Sequence, residues 1–157
     1  MRKLPFAAAL VCALALPIAH AADDATHYVK PNISHADYGK LNVVMPISSA
    51  DPEVWGTRMQ HAYNAVMTAK DWNGQVHLVI VLYGPGIKLL EHKDDDTAKQ
   101  VAKLREAGIV FKVCNNAMKG MDVDWRTLNN VSETDIVPAG VLEVPYLESK
   151  GYSLLPE

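Results

Sequence analysis

The chain has 157 residues, 49% of them hydrophobic and 21% charged, with a formal net charge of −3 and two cysteines. That length and composition describe one ordinary globular domain. The basic residues form no run, so the clustered positive surface that phosphate binding needs is missing, which argues against nucleic acid as a partner. Beyond the first residues no apolar stretch is long enough to cross a bilayer.

The N-terminus carries the pattern of an export signal: Arg2 and Lys3, an apolar stretch from Leu4 to Ile18, and the small-x-small cleavage site Ala19-His20-Ala21. The expectation is a Sec-type signal over residues 1–21, a polar arm over residues 22–40, an α/β domain over residues 41–157, and a periplasmic or secreted location. Cleavage leaves 13 basic against 18 acidic residues, a net charge of −5, and removes Cys12. The mature chain then holds Cys114 alone and cannot close an internal disulfide. In an oxidising compartment such a thiol must be buried, paired between chains, ligated or reactive.

Leu41 to Ile47 reads as a first strand, with Pro46 tolerated near its end. Asp51-Pro52-Glu53 then supplies a cap, a pre-set first helical residue and an acid for the positive end of the dipole. Trp55, Met59, Ala62, Tyr63, Val66 and Met67 follow at helical spacing, and Asn73-Gly74 ends the segment. Gln75 to Tyr83 is apolar on consecutive positions, as a central parallel strand is. Gly84-Pro85-Gly86 breaks it, Ile87 to Glu91 makes one short helical turn, and Asp94-Asp95-Asp96 leads a helix that Gly108 ends. Ile109 to Val113 is a third strand with Cys114 directly after it. Short helices are expected over Asn115 to Met118 and around Asp124 to Leu128. Ile136-Val137 is a fourth strand, Ala139 to Lys150 the last helix, and Tyr152 to Leu155 the closing strand. Strands alternate with helices throughout, so the class is α/β with a mainly parallel sheet covered on both faces.

Ligands of open α/β sheets bind outside the carboxyl ends of the strands, where strand order reverses. Three loops satisfy that placement: Ser48-Ser49, Gly84-Pro85-Gly86 and Cys114-Asn115-Asn116. Cys114 is the sharpest candidate, because backbone N–H groups at a helix start favour the nucleophilic thiolate. The plain alternative is a small buried hydrophobe. Gly84-Pro85-Gly86 lacks the spacing of a P-loop or dinucleotide fingerprint, and no Gly-x-Ser-x-Gly elbow raises Ser48 or Ser49 to a nucleophile. No histidine pair has zinc-protease spacing, and His92 with Asp94-Asp95-Asp96 lacks the alternating ligands of a calcium loop, so no metal or other cofactor is expected. His77 reads as a hydrogen-bonded core histidine, while Trp55, Trp72, Trp125 and Tyr146 read as core or subunit-contact residues.

Val79 to Gly86, Val113-Cys114-Asn115-Asn116-Ala117-Met118-Lys119-Gly120, Val137-Pro138-Ala139-Gly140-Val141 and Leu147 to Tyr152 together resemble the DsrE/DsrF-like family of small sulfur-handling proteins. The resemblance spans most of Leu41 to Pro156. It implies a five-stranded parallel sheet of flavodoxin-like layering and homotrimers or homohexamers. In the family's sulfur-relay members a cysteine in a pattern similar to Cys114-x-x-Ala117-x-x-Gly120 carries persulfide sulfur, a role that would fall on Cys114. Where many members carry histidine before the glycine turn, this chain has Tyr83. The function expected is a sulfur carrier or sulfurtransferase-like protein. Cys114 is the acceptor, Gly84, Pro85, Gly86, Asn115 and Asn116 shape the pocket, and a small sulfur compound or a thiol protein is the partner. The alternative is a non-enzymatic oligomeric protein that binds a small ligand and merely packs Cys114. A third reading makes Cys114 and a neighbouring chain's histidine ligands of a metal or haem.

Overall fold

The computed structural model describes residues 31, 35, 37–93 and 95–156. The expected signal segment and residues 22–30 of the expected arm lie outside the described residues. His35–Glu157 forms one compact unit; of the unit before it, Met1–Ser34, Pro31 alone is described, and it is exposed.

The elements alternate as the sequence pattern predicts: β1 (Lys40–Ile47), α1 (Pro52–Asp71), β2 (Gln75–Leu82), a 3-10 helix (Gly84–Glu91), α2 (Asp96–Glu106), β3 (Val110–Cys114) and α3 (Asn115–Met121). Two short 3-10 turns, Trp125–Thr127 and Glu133–Asp135, lead to β4 (Ile136–Val137), α4 (Gly140–Ser149) and β5 (Ser153–Leu154). The helix starts follow from local chemistry. Asp51 accepts the Glu53 N–H at 2.9 Å with Pro52 in the first turn of α1, and Asp95 accepts the Ala98 N–H at 3.0 Å to open α2. α1 stops where Asn73 takes φ 54°, and α2 where Gly108 takes φ 89°, the left-handed conformation that ends helices.

All pairings in the five-stranded sheet are parallel, in the order β4-β3-β2-β1-β5. The chain steps in one direction from β1 to β4, so right-handed crossovers stack α1, α2 and α3 on one face. It then returns across the whole sheet to place β5 beside β1, which puts α4 on the other face. Strand alternation sorts the core accordingly. Met45, Ile47, Leu78, Ile80, Leu82, Phe111 and Val113 point to the first face, against Trp55, Met59 and Val66 of α1, Val101 and Leu104 of α2, and Met118 of α3. Val44, Val79 and Val81 point to the second face, against Val144 and Leu147 of α4. Arg58, buried on α1, donates to the carbonyls of Leu155, at 3.0 Å, and Pro156, fastening the tail after β5.

Several sequence expectations change. His77 is exposed rather than in the core, because it falls on the polar opening half of β2; its Nδ1 and the Tyr152 hydroxyl are hydrogen-bonded at 2.8 Å. Tyr146 is 55% exposed and Trp72 only half-buried, whereas Trp55 is buried and Trp125 packs on the main core. Tyr83 lies just past the end of β2, and the glycine turn is not a single bend but the start of a 3-10 helix reaching Glu91.

Candidate functional site at the carboxyl edge

The chain leaves β3 toward the first face, through α3, and leaves β4 toward the second, through α4. Adjacent strands whose exits diverge in this way open a crevice beyond their carboxyl ends, the usual ligand position in an open α/β sheet. Cys114 is the last residue of β3 and stands in register with Val137, the last of β4. The one cysteine of the described residues thus lies at the single point where the exits split.

Its local conformation is set by two roles. As the N-cap of α3, Cys114 has extended backbone, φ −71° and ψ 114°, and its Sγ accepts the Ala117 N–H at 3.4 Å. The sulfur in this position has one backbone donor aimed at it, from the first turn of α3. The residue is 5% exposed and unpaired by disulfide. Opposite, the Pro138 carbonyl accepts the Asn116 N–H at 3.3 Å, so the first turn of α3 is tied across the crevice to the loop that opens α4.

The other expected site residues divide into two groups. Asn115 and Asn116 adjoin the crevice, Asn115 half-buried and Asn116 exposed. Asn115 also lines a surface cavity of about 360 Å³ with Met118, Lys119, Asp122 and Trp125, on the α3 side. Gly86 has a packing role: a Cβ there would stand 2.1 Å from the Ile47 carbonyl oxygen, so the end of β1 passes directly against it. Gly84 takes φ 48°, and Pro85 is exposed at the start of the 3-10 helix. None of the four cavities described is lined by Gly84, Pro85, Gly86 or Cys114.

Two neighbours carry weight that sequence reasoning did not give them. Leu82 pairs with Val113, so Tyr83 follows in register beside Cys114, on the second face of the sheet. Gly140 opens α4 against it: a Cβ there would be 2.6 Å from the Tyr83 Cβ and 3.0 Å from its Cδ1. The contact keeps α4's first turn close over the Tyr83 ring, and only a glycine permits that approach. The signal for it was present in Val137-Pro138-Ala139-Gly140, where a glycine opens a helix that has no side-chain cap.

Among the described residues no cluster of three or more His, Cys, Asp or Glu side chains is placed to hold a metal ion. No helix among them is long and apolar enough to cross a membrane.

No family model matches the chain, and no curated protein does. Among solved structures it is similar to MTH1491, a protein of unknown function from Methanobacterium thermoautotrophicum, with 20% identity over 74% of this chain and 99% of that one and a TM-score of 0.65. It is also similar to the ychN protein from E. coli, with 10% identity over 76% of this chain and 99% of that one and a TM-score of 0.53. At such identities the likeness speaks to fold alone. It supports a single-domain α/β protein of DsrE-like fold, with a five-stranded parallel sheet between helices.

Proposed function

We propose that this protein is an exported sulfur carrier whose acceptor is Cys114. One observation carries the reading: the sulfur caps α3 at the crevice where the exits of β3 and β4 diverge, with the Ala117 N–H directed at it. The chemistry needs one cysteine. The Cys114 thiolate attacks the outer sulfur of a hydropersulfide, the S–S bond of the donor breaks, a new S–S bond forms on Cys114, and the donor leaves as its thiolate. A second thiol, on a partner protein or a small molecule, then attacks that outer sulfur and Cys114 leaves as thiolate. No net oxidation occurs in either step, and no cofactor takes part.

The burial of Cys114 favours a second reading, a binding module in which the thiol is only packed. Intact mass separates the two. Natively folded protein incubated with a hydropersulfide or polysulfide is expected to gain mass in multiples of one sulfur, to lose it with reductant, and to gain nothing as Cys114→Ser. A folded protein that gains no sulfur, and whose thiol resists alkylation until denatured, would leave the binding module standing in place of the carrier.

A further inference from the structure

Cys114 is 5% exposed, yet a sulfur carrier presents that atom twice, to a donor and then to an acceptor. One wall of the crevice must therefore move. The β3–α3 wall is fixed, because Phe111, Val113 and Met118 belong to the buried core of the first face. The opposite wall, the loop at Pro138 and the first turn of α4, is lightly held. That turn begins at Gly140 without a side-chain cap, and its Val141 and Leu142 are 64% and 68% exposed, which leaves Val144 to pack on the second face. Across the crevice it is tied by the bond from the Asn116 N–H to the Pro138 carbonyl, at 3.3 Å.

Pro145 comes next, inside the helix. It has no N–H to give the Val141 carbonyl and its ring crowds that carbonyl, so the helix bends most easily there. Beyond it the chain is fastened again. Leu147 packs on the second face, and its carbonyl accepts the N–H groups of Lys150, at 2.9 Å, and Tyr152, at 3.1 Å. The Tyr152 hydroxyl is bonded to His77 of β2, and β5 pairs with β1. The lightly held turn and the fastened half thus meet at the residue that interrupts the helix.

We infer that residues 138–144 are a lid on Cys114, which opens about Pro145 while the second half of α4 stays on the sheet. Closed, the lid holds Gly140 against Tyr83, the neighbour that follows in register beside Cys114. Opening breaks the Asn116–Pro138 bond, lifts Val144 from the second face and uncovers Tyr83 and the sulfur together. The use of such a lid rests on the sulfur-carrier reading: a persulfide on Cys114 would lose its outer sulfur to any thiol that reached it, so closure keeps the cargo between donor and acceptor.

Alkylation of the folded protein by iodoacetamide, read at Cys114 by peptide mass, tests the lid without sulfur chemistry. Pro145→Ala returns the missing N–H and stiffens the bend, so the rate should fall at least about fivefold. Val144→Ala removes the side chain that holds the turn down and should raise it at least about threefold. Denaturant separates a local opening from global unfolding: the wild-type rate should change little well below the unfolding midpoint, since lifting one turn exposes little surface. Equal rates in wild type and Pro145→Ala, or a wild-type rate that climbs with denaturant as steeply as global unfolding does, would overturn the inference. Lid and carrier can fail apart. A thiol whose alkylation follows the lid but which gains no sulfur from a hydropersulfide keeps the lid and sinks the carrier; sulfur uptake as fast in Pro145→Ala as in wild type does the reverse.

Discussion

The two faces of the sheet are built to different depths. On the first, three helices cover a continuous layer in which Met45, Ile47, Leu78, Ile80, Leu82 and Phe111 are wholly inaccessible. On the second, α4 alone covers Val44, Val79 and Val81, with Tyr83 and Tyr152 closing the two ends. The asymmetry follows from topology: strands laid down in one direction send their right-handed crossovers to one side, and the single return segment must cover the other. Most of the burial that opposes chain entropy therefore lies on the thick face. The features that invite chemistry or contact, Cys114 beside Tyr83 and the apolar outside of α4, lie with the thin one.

The largest expected effects test that division directly. Phe111→Ala empties a fully buried site on the thick face and should cost about 3–5 kcal/mol in denaturant unfolding. Val81→Ala, equally inaccessible but under α4 alone, removes less volume where a single helix can settle inward, and should cost about 2 kcal/mol. Equal losses at the two positions would mean that α4 holds its face as firmly as three helices hold theirs.

Much of this was legible in the residues themselves. The apolar run of β2, the cap and proline that open α1, and the acidic start of α2 each fix an element by local chemistry. Cys114 could be assigned to a strand end because the run from Ile109 to Val113 stops there. Strand order was not legible, since nothing in Ile136 to Leu155 tells whether the last crossover continues outward or returns across the sheet. The unequal faces, and with them the crevice between β3 and β4, hang on that one connection. His77 was misplaced for a related reason: an apolar run reads as buried along its length, yet Gln75 and His77 at the start of β2 are exposed and full burial begins only at Leu78. Gly86 reads locally as part of a strand-to-helix turn, while its need for glycine comes from the close passage of β1, a tertiary contact no local pattern encodes.

Two glycines sharpen the comparison at the edge where both faces meet the site. Gly86→Ala drives a Cβ to 2.1 Å from the backbone oxygen of Ile47 at the end of β1, a neighbour held by the sheet, and should cost about 3 kcal/mol. Gly140→Ala meets the Tyr83 side chain at 2.6 Å, and α4 can lift away to relieve it, so about 1–2 kcal/mol is expected. Lifting α4 also loosens the cover beside Cys114, so alkylation of the native thiol should speed up in Gly140→Ala while the wild-type rate holds in Val81→Ala. A Gly140→Ala protein with unchanged thiol reactivity would show that α4's first turn does not control access to the sulfur.

The smallest effect belongs to the rim of the thick face, where α2 begins. The Asp95 carboxyl is held below its ordinary value of 3.8, first by the Ala98 N–H it caps and then by its hydrogen bond to His92. Because the folded state favours the charged form, the contribution is complete above the unfolded value and is lost as pH falls through the lower folded one. Asn at this position keeps a capping oxygen but not the charge. The melting temperature of Asp95→Asn should therefore sit slightly below wild type near neutral pH and converge with it in acid, below about pH 4. The carboxylate is exposed, so solvent screening keeps the gap under that of any core change above. A gap that persists unchanged into acid would assign the effect to cap geometry instead of charge. One larger than the Val81→Ala loss would move the balance of stability from the covered faces to the edge of the sheet.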